Sequence, residues 1–336
     1  MPPNARRTTL AAIAREAGVS IATVSKVVND RSDVAPRTRI RVQELLRQHQ
    51  YLAPVYRHTE PAASPTIEVQ FNGDLKTYSA EALEGIIDAA AELGATVVIS
   101  KSAPAPHWAR DLVSAGRRAL IAVTSRYTAA HVNELNRAGL PLVVLDPLHL
   151  PHSEVNSVGA TNFAGGLAAT QHLLALGHRR VAYLGGPAAA VCNQARMHGY
   201  RAALEAEGAP TPAAYVRHGE FTYRTGLLGA AALLDLEEPP TAIFAGNDEI
   251  ALGIFETART RGLRVPEDLS VVGFDDTHLA RMASPPLTTV RQPLREMGGV
   301  ALRTALRLAN GEKIESHHIE LATDLVTRAS TAPLRT

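Results

Sequence analysis

One cysteine, Cys192, stands among 336 residues. A single thiol closes no internal disulfide, so nothing points to an oxidising compartment. Long apolar runs are missing too. The N-terminus carries Arg6-Arg7 without the apolar stretch of a secretory leader, and no segment is long enough to span a bilayer. The expectation is a soluble, cytoplasmic protein with no membrane partner. Motifs that bring cofactors or nucleophiles to α/β proteins are also absent: no G-x-G-x-x-G after a strand, no G-x-x-x-x-G-K-S/T, no G-x-S-x-G and no H-E-x-x-H. Cys192 and His317-His318 lack metal-ligand spacing, and the histidines read as solvated or structural. Gly185-Gly186-Pro187 reads as a simple strand-to-loop turn. Neither an enzyme, nor a cofactor, nor a metal is expected.

What is present begins with charge. Residues 1–60 hold ten Lys/Arg against five Asp/Glu, leaving 24 against 28 for the remainder. A basic head on a mildly acidic body suits an N-terminal module that meets phosphate. That head reads as two short helices around a tight turn at Gly18. Thr9 is placed to cap the first and Ser20 the second, because a hydroxyl there accepts from the orphan amides of the next turn. Leu10, Ile13, Ala14, Val19, Val24 and Val27 share one apolar face. Ile21, Ala22, Ser25 and Lys26 then face outward, as on a helix laid in a DNA major groove. Spacing alone also fits an ordinary helical hairpin. A third helix starts near Pro36, with Ile40, Val42, Leu45, Leu46 and Tyr51 available to cover the first two.

Residues 53–66, with Pro54, Pro61 and Pro65, read as a linker. From Ile67 onward, apolar strand candidates at 67–71, 96–100, 119–125, 141–146, 155–159, 180–185, 242–246 and 269–274 alternate with helical patterns. Runs apolar on both faces belong to parallel sheets covered by helices, and so many units imply two doubly wound subdomains. The fold class expected is α/β, with a small all-α helix-turn-helix domain in front. Polar residues end several strands, where open α/β sheets place their ligands: Asp146, Asn247-Asp248 and Asp275-Asp276, with Arg196 opening a helix beyond 180–185. Carboxylates, an amide and a guanidinium hydrogen-bond neighbouring hydroxyls in pairs, as a sugar presents them, and Phe221 offers a flat apolar face. Each Asp or Asn is also a candidate helix cap.

Five motifs, in this order, carry a resemblance that covers nearly the whole chain. They are Thr9-Leu10, Ile13-Ala14 and Ala17-Gly18-Val19-Ser20 with Thr23-Val24-Ser25; Asn162, Gly165-Gly166 and His172-Leu173 leading to Leu176-Gly177-His178-Arg179-Arg180; Arg196 with Gly199-Tyr200; Ala245-Gly246-Asn247-Asp248 with Ala251-Leu252-Gly253; and Ser270 to Asp276 followed by Pro286-Leu287-Thr288-Thr289-Val290 and Gln292. Together they resemble the lactose-repressor/galactose-repressor (LacI/GalR) family of bacterial transcription regulators. The resemblance implies a helix-turn-helix domain at 1–52 binding operator double-stranded DNA, a hinge at 53–66, and a core at 67–336 like a periplasmic sugar-binding protein. Within that core it implies one lobe of about 67–161 with 292–318 and another of about 162–291 with 319–336. Carried over by position, Ile21, Ala22 and Lys26 are base-reading, and Thr9, Ser20, Thr23, Ser25 and Asn29 hold the DNA backbone. Asp146, Arg196, Phe221, Asn247 and Asp275 contact the effector, a mono- or oligosaccharide.

Two departures qualify the resemblance. Many relatives fold a hinge helix whose leucine wedges into the minor groove, but Glu60 falls at that position here. A carboxylate is repelled by phosphate, which argues against a family-like wedge. Tetramer-forming leucine heptads are missing after Ser330, and Thr331–Thr336 is too short for a coiled coil, so a homodimer is expected. The function implied is a repressor of carbohydrate-use genes that leaves its operator when a sugar binds. A co-repressor-dependent regulator fits the same residues. A periplasmic binding protein would need an export signal instead of the basic head.

Overall fold

The computed structural model describes residues 10–28, 34–49, 64–71, 75–101, 107–125, 127–149 and 154–335, apart from the side chains of Val28 and Arg47. Thr9, Asn29, Tyr51 and Glu60 lie outside the described residues, as does 53–63 of the expected hinge. The chain divides into two compact units that part at 63/64.

The first unit contains α1 (Leu10–Ala17), α2 (Ile21–Val28) and α3 (Pro36–Gln48). Gly18 takes φ +69° between α1 and α2, a left-handed angle that costs glycine little. The amides of Gly18 and Val19 turn back to the carbonyls of Arg15 and Ala14 at 3.3 and 3.0 Å, which ends α1. Ser20 then caps α2, its Oγ accepting from the Thr23 amide at 3.1 Å. Ile13, Ala14, Ala17, Val24, Val27, Val34 and Val42 form one core, with Leu10, Val19, Leu45 and Leu46 packed on it. Ile40 was expected in that core and is instead 61% exposed. Its side chain sits on the face of α3 turned away from α1 and α2.

The second unit holds two parallel sheets. In the first, β1 (Thr66–Phe71), β2 (Thr96–Ser100), β3 (Arg117–Val123), β4 (Leu142–Leu145), β5 (Asn156–Ala160) and β11 (His318–Leu321) lie in the order β2-β1-β3-β4-β5-β11. In the second, β6 (Val181–Gly185), β7 (Val216–His218), β8 (Ala242–Ala245), β9 (Ser270–Asp275), β10 (Thr288–Arg291) and β12 (Asp324–Val326) run β7-β6-β8-β9-β10-β12, with β12 antiparallel. The linker expected at 53–66 therefore ends sooner, because Thr66 already pairs with Thr96.

Successive strand residues point to opposite faces, and each face has its own helical layer. Ile67, Val69, Ile121 and Val123 pack with α4 (Thr77–Leu93) and α12 (Leu294–Ala309). Leu120, Ala122 and Val144 face α5 (Trp108–Ser114) and α6 (Ala129–Ala138). In the second sheet Val181, Tyr183 and Phe244 meet α7 (Asn162–Ala175) and α8 (Val191–Ala206), while Ala182, Leu184 and Ile243 meet α9 (Tyr223–Leu234) and α10 (Asp248–Thr260). α11 (His278–Met282) closes the end of the second sheet.

The chain passes between the two sheets after β5, after β10 and after β11. The last passage lies at 322–323, not at the expected 318/319, because His318–Leu321 pairs in register with Ser157–Ala160 of β5. Two passages are tied together: the Thr323 amide donates to Thr161 Oγ1 at 3.0 Å, and the two hydroxyls are 3.0 Å apart. α7 and α8 touch backbone to backbone. A Cβ built on Gly166 falls 2.3 Å from the Arg196 carbonyl oxygen, and one on Gly199 falls 2.2 Å from that of Phe163. That closeness brings Arg196 to the first residue of α7, and so to the ends of the strands.

Candidate functional site

Two surfaces come into view. On α2, Ile21, Ala22 and Lys26 are exposed, and Ser25 and Thr23 are half-buried. Ser20 Oγ is 2.9 Å from Thr23 Oγ1 as well as capping the helix. The outward side of α2 thus carries apolar groups and one cation around a hydroxyl-bearing start, a pattern suited to base edges flanked by phosphates.

The other surface is a cleft of about 540 Å³ where the carboxyl ends of the two sheets face each other. Asp146, Arg196, Phe221, Asn247 and Asp275 all line it. So do Lys76, Tyr78, Thr124, Cys192, Glu220 and Glu249, which sequence reasoning missed as ligand contacts. Thr124, Asp146 and Asp275 follow or end β3, β4 and β9, with φ of +46°, +47° and +111°. Left-handed angles at non-glycine residues are strained, and such strain gathers at ligand sites. Here three of them meet in one cavity.

Arg196 is 2% exposed and held from several sides. Its Nε donates to Asn162 Oδ1 at 2.8 Å and Nη1 to the Gly246 carbonyl at 2.6 Å. Asp275 Oδ1 lies 3.7 Å from Nη1, and the guanidinium lies 3.8 Å from the centre of the Phe274 ring. Gln292 Nε2 donates to Asp275 Oδ1 at 2.7 Å, leaving Gln292 Oε1 buried without a partner. Tyr78 donates to Asp146 Oδ2 at 2.9 Å. Burial pushes the carboxyl of Asp275 well above the usual range and that of Asp146 above it, with Arg196 opposing in both cases. Asn247 serves twice. Its Oδ1 caps α10, accepting from the Ile250 amide at 2.9 Å, and the residue still borders the cleft.

Asp248 and Asp276, beside these, are structural. Asp248 accepts from the Thr277 amide, the Thr277 hydroxyl and the Thr289 hydroxyl, and burial raises its carboxyl to about 7. Asp276 pairs with Arg291 and Arg328. Burial pushes the Cys192 thiol up to about 12, which leaves it protonated and unreactive at neutral pH. His318 hydrogen-bonds Ser157 and His317 hydrogen-bonds Asn156. The Gly186 amide donates to Asn193 Oδ1 at 2.8 Å, fixing the turn after β6. Among the described residues no group of three or more His, Cys, Asp or Glu is placed to hold a metal, and no helix is long and apolar enough to cross a membrane.

Residues 9–53 match the family described as bacterial regulatory proteins, lacI family, and residues 170–331 match a periplasmic binding protein-like domain. Catabolite control protein A of Priestia megaterium is 33% identical over 325 residues, 95% of this chain and 98% of that protein. The chain belongs to the lacI family. Among solved structures, the CelR–cellobiose complex matches with TM-score 0.73 at 31% identity, over 96% of this chain and 100% of that one. The lac repressor dimer bound to operator and the anti-inducer ONPF matches with TM-score 0.76 at 29% identity, over 97% and 100%. The lacI family is made of transcription regulators, not enzymes, and its members bind operator DNA and sugar effectors. This lacI-family chain is accordingly a DNA-binding transcription regulator, with a small helix-turn-helix domain in front of two parallel-sheet subdomains.

Proposed function

We propose that the chain is a cytoplasmic, homodimeric repressor of carbohydrate-use genes, released from its operator when an uncharged saccharide fills the cleft. The observation that carries this is the meeting in one cavity of three strand-end residues, Asp146, Asn247 and Asp275, with Phe221 from the turn before α9 and Arg196, which lies in the second turn of α8 and does not open it, together with the sign of the cavity's charge. Four carboxylates, Asp146, Glu220, Glu249 and Asp275, border it against two cations, Lys76 and Arg196. That balance disfavours phosphate esters and sugar acids, and it suits hydroxyls that donate to carboxylates and accept from a guanidinium. A volume of about 540 Å³ lies within the range of small-molecule pockets.

In this reading residues 1–52 form the DNA-reading head, 53–65 the hinge, and 66–336 the sensing core. Ile21, Ala22 and Lys26 read bases, while Ser20, Thr23 and Ser25 hold the phosphate backbone. Asp146, Arg196, Phe221, Asn247 and Asp275 hold the sugar. A saccharide lowers operator affinity only by binding the DNA-incompetent state more tightly. The test is operator binding by the full chain, titrated with a panel that includes cellobiose and ribose. At least one saccharide is expected to release the duplex and to raise the melting temperature of the free protein in proportion to the logarithm of its concentration. A saccharide that tightens the duplex instead would make the chain co-repressor-dependent and overturn the release mechanism.

The cleft also sets a pH dependence. Hydroxyl donors favour the ionised carboxylate, and Asp146 and Asp275 hold their protons above the ordinary range of about 4. Affinity for the releasing saccharide is therefore expected to rise as the pH is raised from the ordinary carboxylate range to neutral and above, and Asp275→Asn to flatten the rise. Calorimetric titration across that range checks it. Affinity that is flat in the unaltered chain would remove both carboxylates from the contact set.

A further inference from the structure

Lys76, at the start of α4, reaches from the first sheet's side of the cleft to the second. Its Nζ donates to the backbone carbonyl of Phe221 at 2.9 Å and pairs with Glu249 Oε2 at 2.8 Å. Phe221 is the aromatic that borders the cavity, and it is boxed in. A Cβ on Gly186 would fall 2.4 Å from its ring, and the Arg196 guanidinium lies 5.7 Å from the ring centre. Gly186 and Arg196 belong to the same subdomain as Phe221, so they hold the ring whether or not the cleft is closed. Lys76 belongs to the other subdomain, so its bond to Phe221 spans the two.

We propose that Lys76 is a positioning residue that couples closure of the cleft to placement of Phe221 as the stacking face for the saccharide. The inference rests on the functional reading above. The ammonium matches its site: a carbonyl and a carboxylate converge on it, and Glu249 sits in the first turn of α10, two residues after its cap Asn247, itself a lining residue. Closing therefore aligns the aromatic and the amide in one movement. The Lys76 side chain is 40% exposed and that of Glu249 is 22% exposed, so the contact is made at the mouth, where a ligand enters. With solvent screening the pair adds little to overall stability, and its substitution leaves the fold intact.

The experiment uses the full chain without effector and follows amide exchange at Thr222, Thr225 and Gly226, whose amides are hydrogen-bonded around the start of α9. Lys76→Met, which keeps length and loses the charge, is expected to speed exchange there about tenfold at an unchanged melting temperature. Lys76→Arg, which still donates to both acceptors, is expected to stay within about twofold of the unaltered chain. Titration with cellobiose is expected to show about tenfold weaker binding for Lys76→Met and near-normal binding for Lys76→Arg. Unchanged exchange in Lys76→Met, or equal loss in both variants, would overturn the proposal. If the unaltered chain does not bind cellobiose, the exchange measurement still decides the role of Lys76, and the saccharide reading is judged by the wider panel.

Discussion

Arg196→Ala is expected to bind operator as the unaltered chain does and to stay bound at every saccharide concentration. The guanidinium is fully enclosed by Asn162, the Gly246 carbonyl, Asp275 and the Phe274 ring, so no other side chain can take its place. Charge-assisted hydrogen bonds are worth about 1.5–3 kcal/mol each, so losing two ligand contacts weakens effector binding by a factor of a hundred or more. Truncation also strips a buried carboxylate of its counter-ion, which costs about 3–5 kcal/mol of fold stability. Asp275→Asn leaves the guanidinium its neutral partners, Asn162, the Gly246 carbonyl and the Phe274 ring. It keeps shape and the Gln292 contact region while removing the charge, and it should likewise bind operator yet fail to be released. The DNA-reading helices belong to a separate compact unit, which is why duplex affinity is spared. Fluorescence anisotropy with an operator duplex, with and without saccharide, reads both quantities. Normal release in both variants would move the effector site elsewhere.

Lys26→Ala is expected to lose about 1–3 kcal/mol of specific binding and to relax preference at one base position. Lys26 lies in the last turn of α2 on its exposed side, and in the proposed reading its ammonium meets guanine acceptors in the major groove. Loss of a phosphate contact weakens all sequences alike, and only loss of a base-reading residue alters the ranking of sites. Competition between the operator and single-base variants separates the two. An unchanged ranking after Lys26→Ala would assign that side chain to the phosphates.

Much of this was legible in the chain itself, and the reasons are local. Six of the eight described interior strands, β1, β3, β4, β6, β8 and β9, are apolar runs with helical periodicity between them, and each polar residue that ends one is visible as a break. Asp146, Asn247 and Asp275 could be named for that reason. β7, β10, β11 and β12 were not anticipated. β10 is interior but only four residues long, two of them threonines. The other three are short edge strands, half-exposed, and His318-Ile319-Glu320-Leu321 mixes charge with apolar residues in a way that also fits a loop. Missing β11 is what put the last crossing three residues early. Asp146 apart, the first subdomain's share of the cleft was silent as well. Lys76 and Tyr78 open a helix without a side-chain cap, and Thr124 is one threonine after a strand. Their importance comes from being opposite the second sheet, which spacing along the chain does not encode. Asn247 shows that a strand-end amide can cap a helix and line the cleft at once.

The whole account turns on linkage between duplex and saccharide, and a salt-resolved binding measurement with the full chain tests it most directly. Affinity for an operator duplex is expected to fall linearly, on logarithmic axes, as salt rises, to exceed that for unrelated duplex, and to drop when a saccharide from the panel is added. A chain that binds no duplex even at low ionic strength, or whose duplex binding ignores every saccharide, would contradict it.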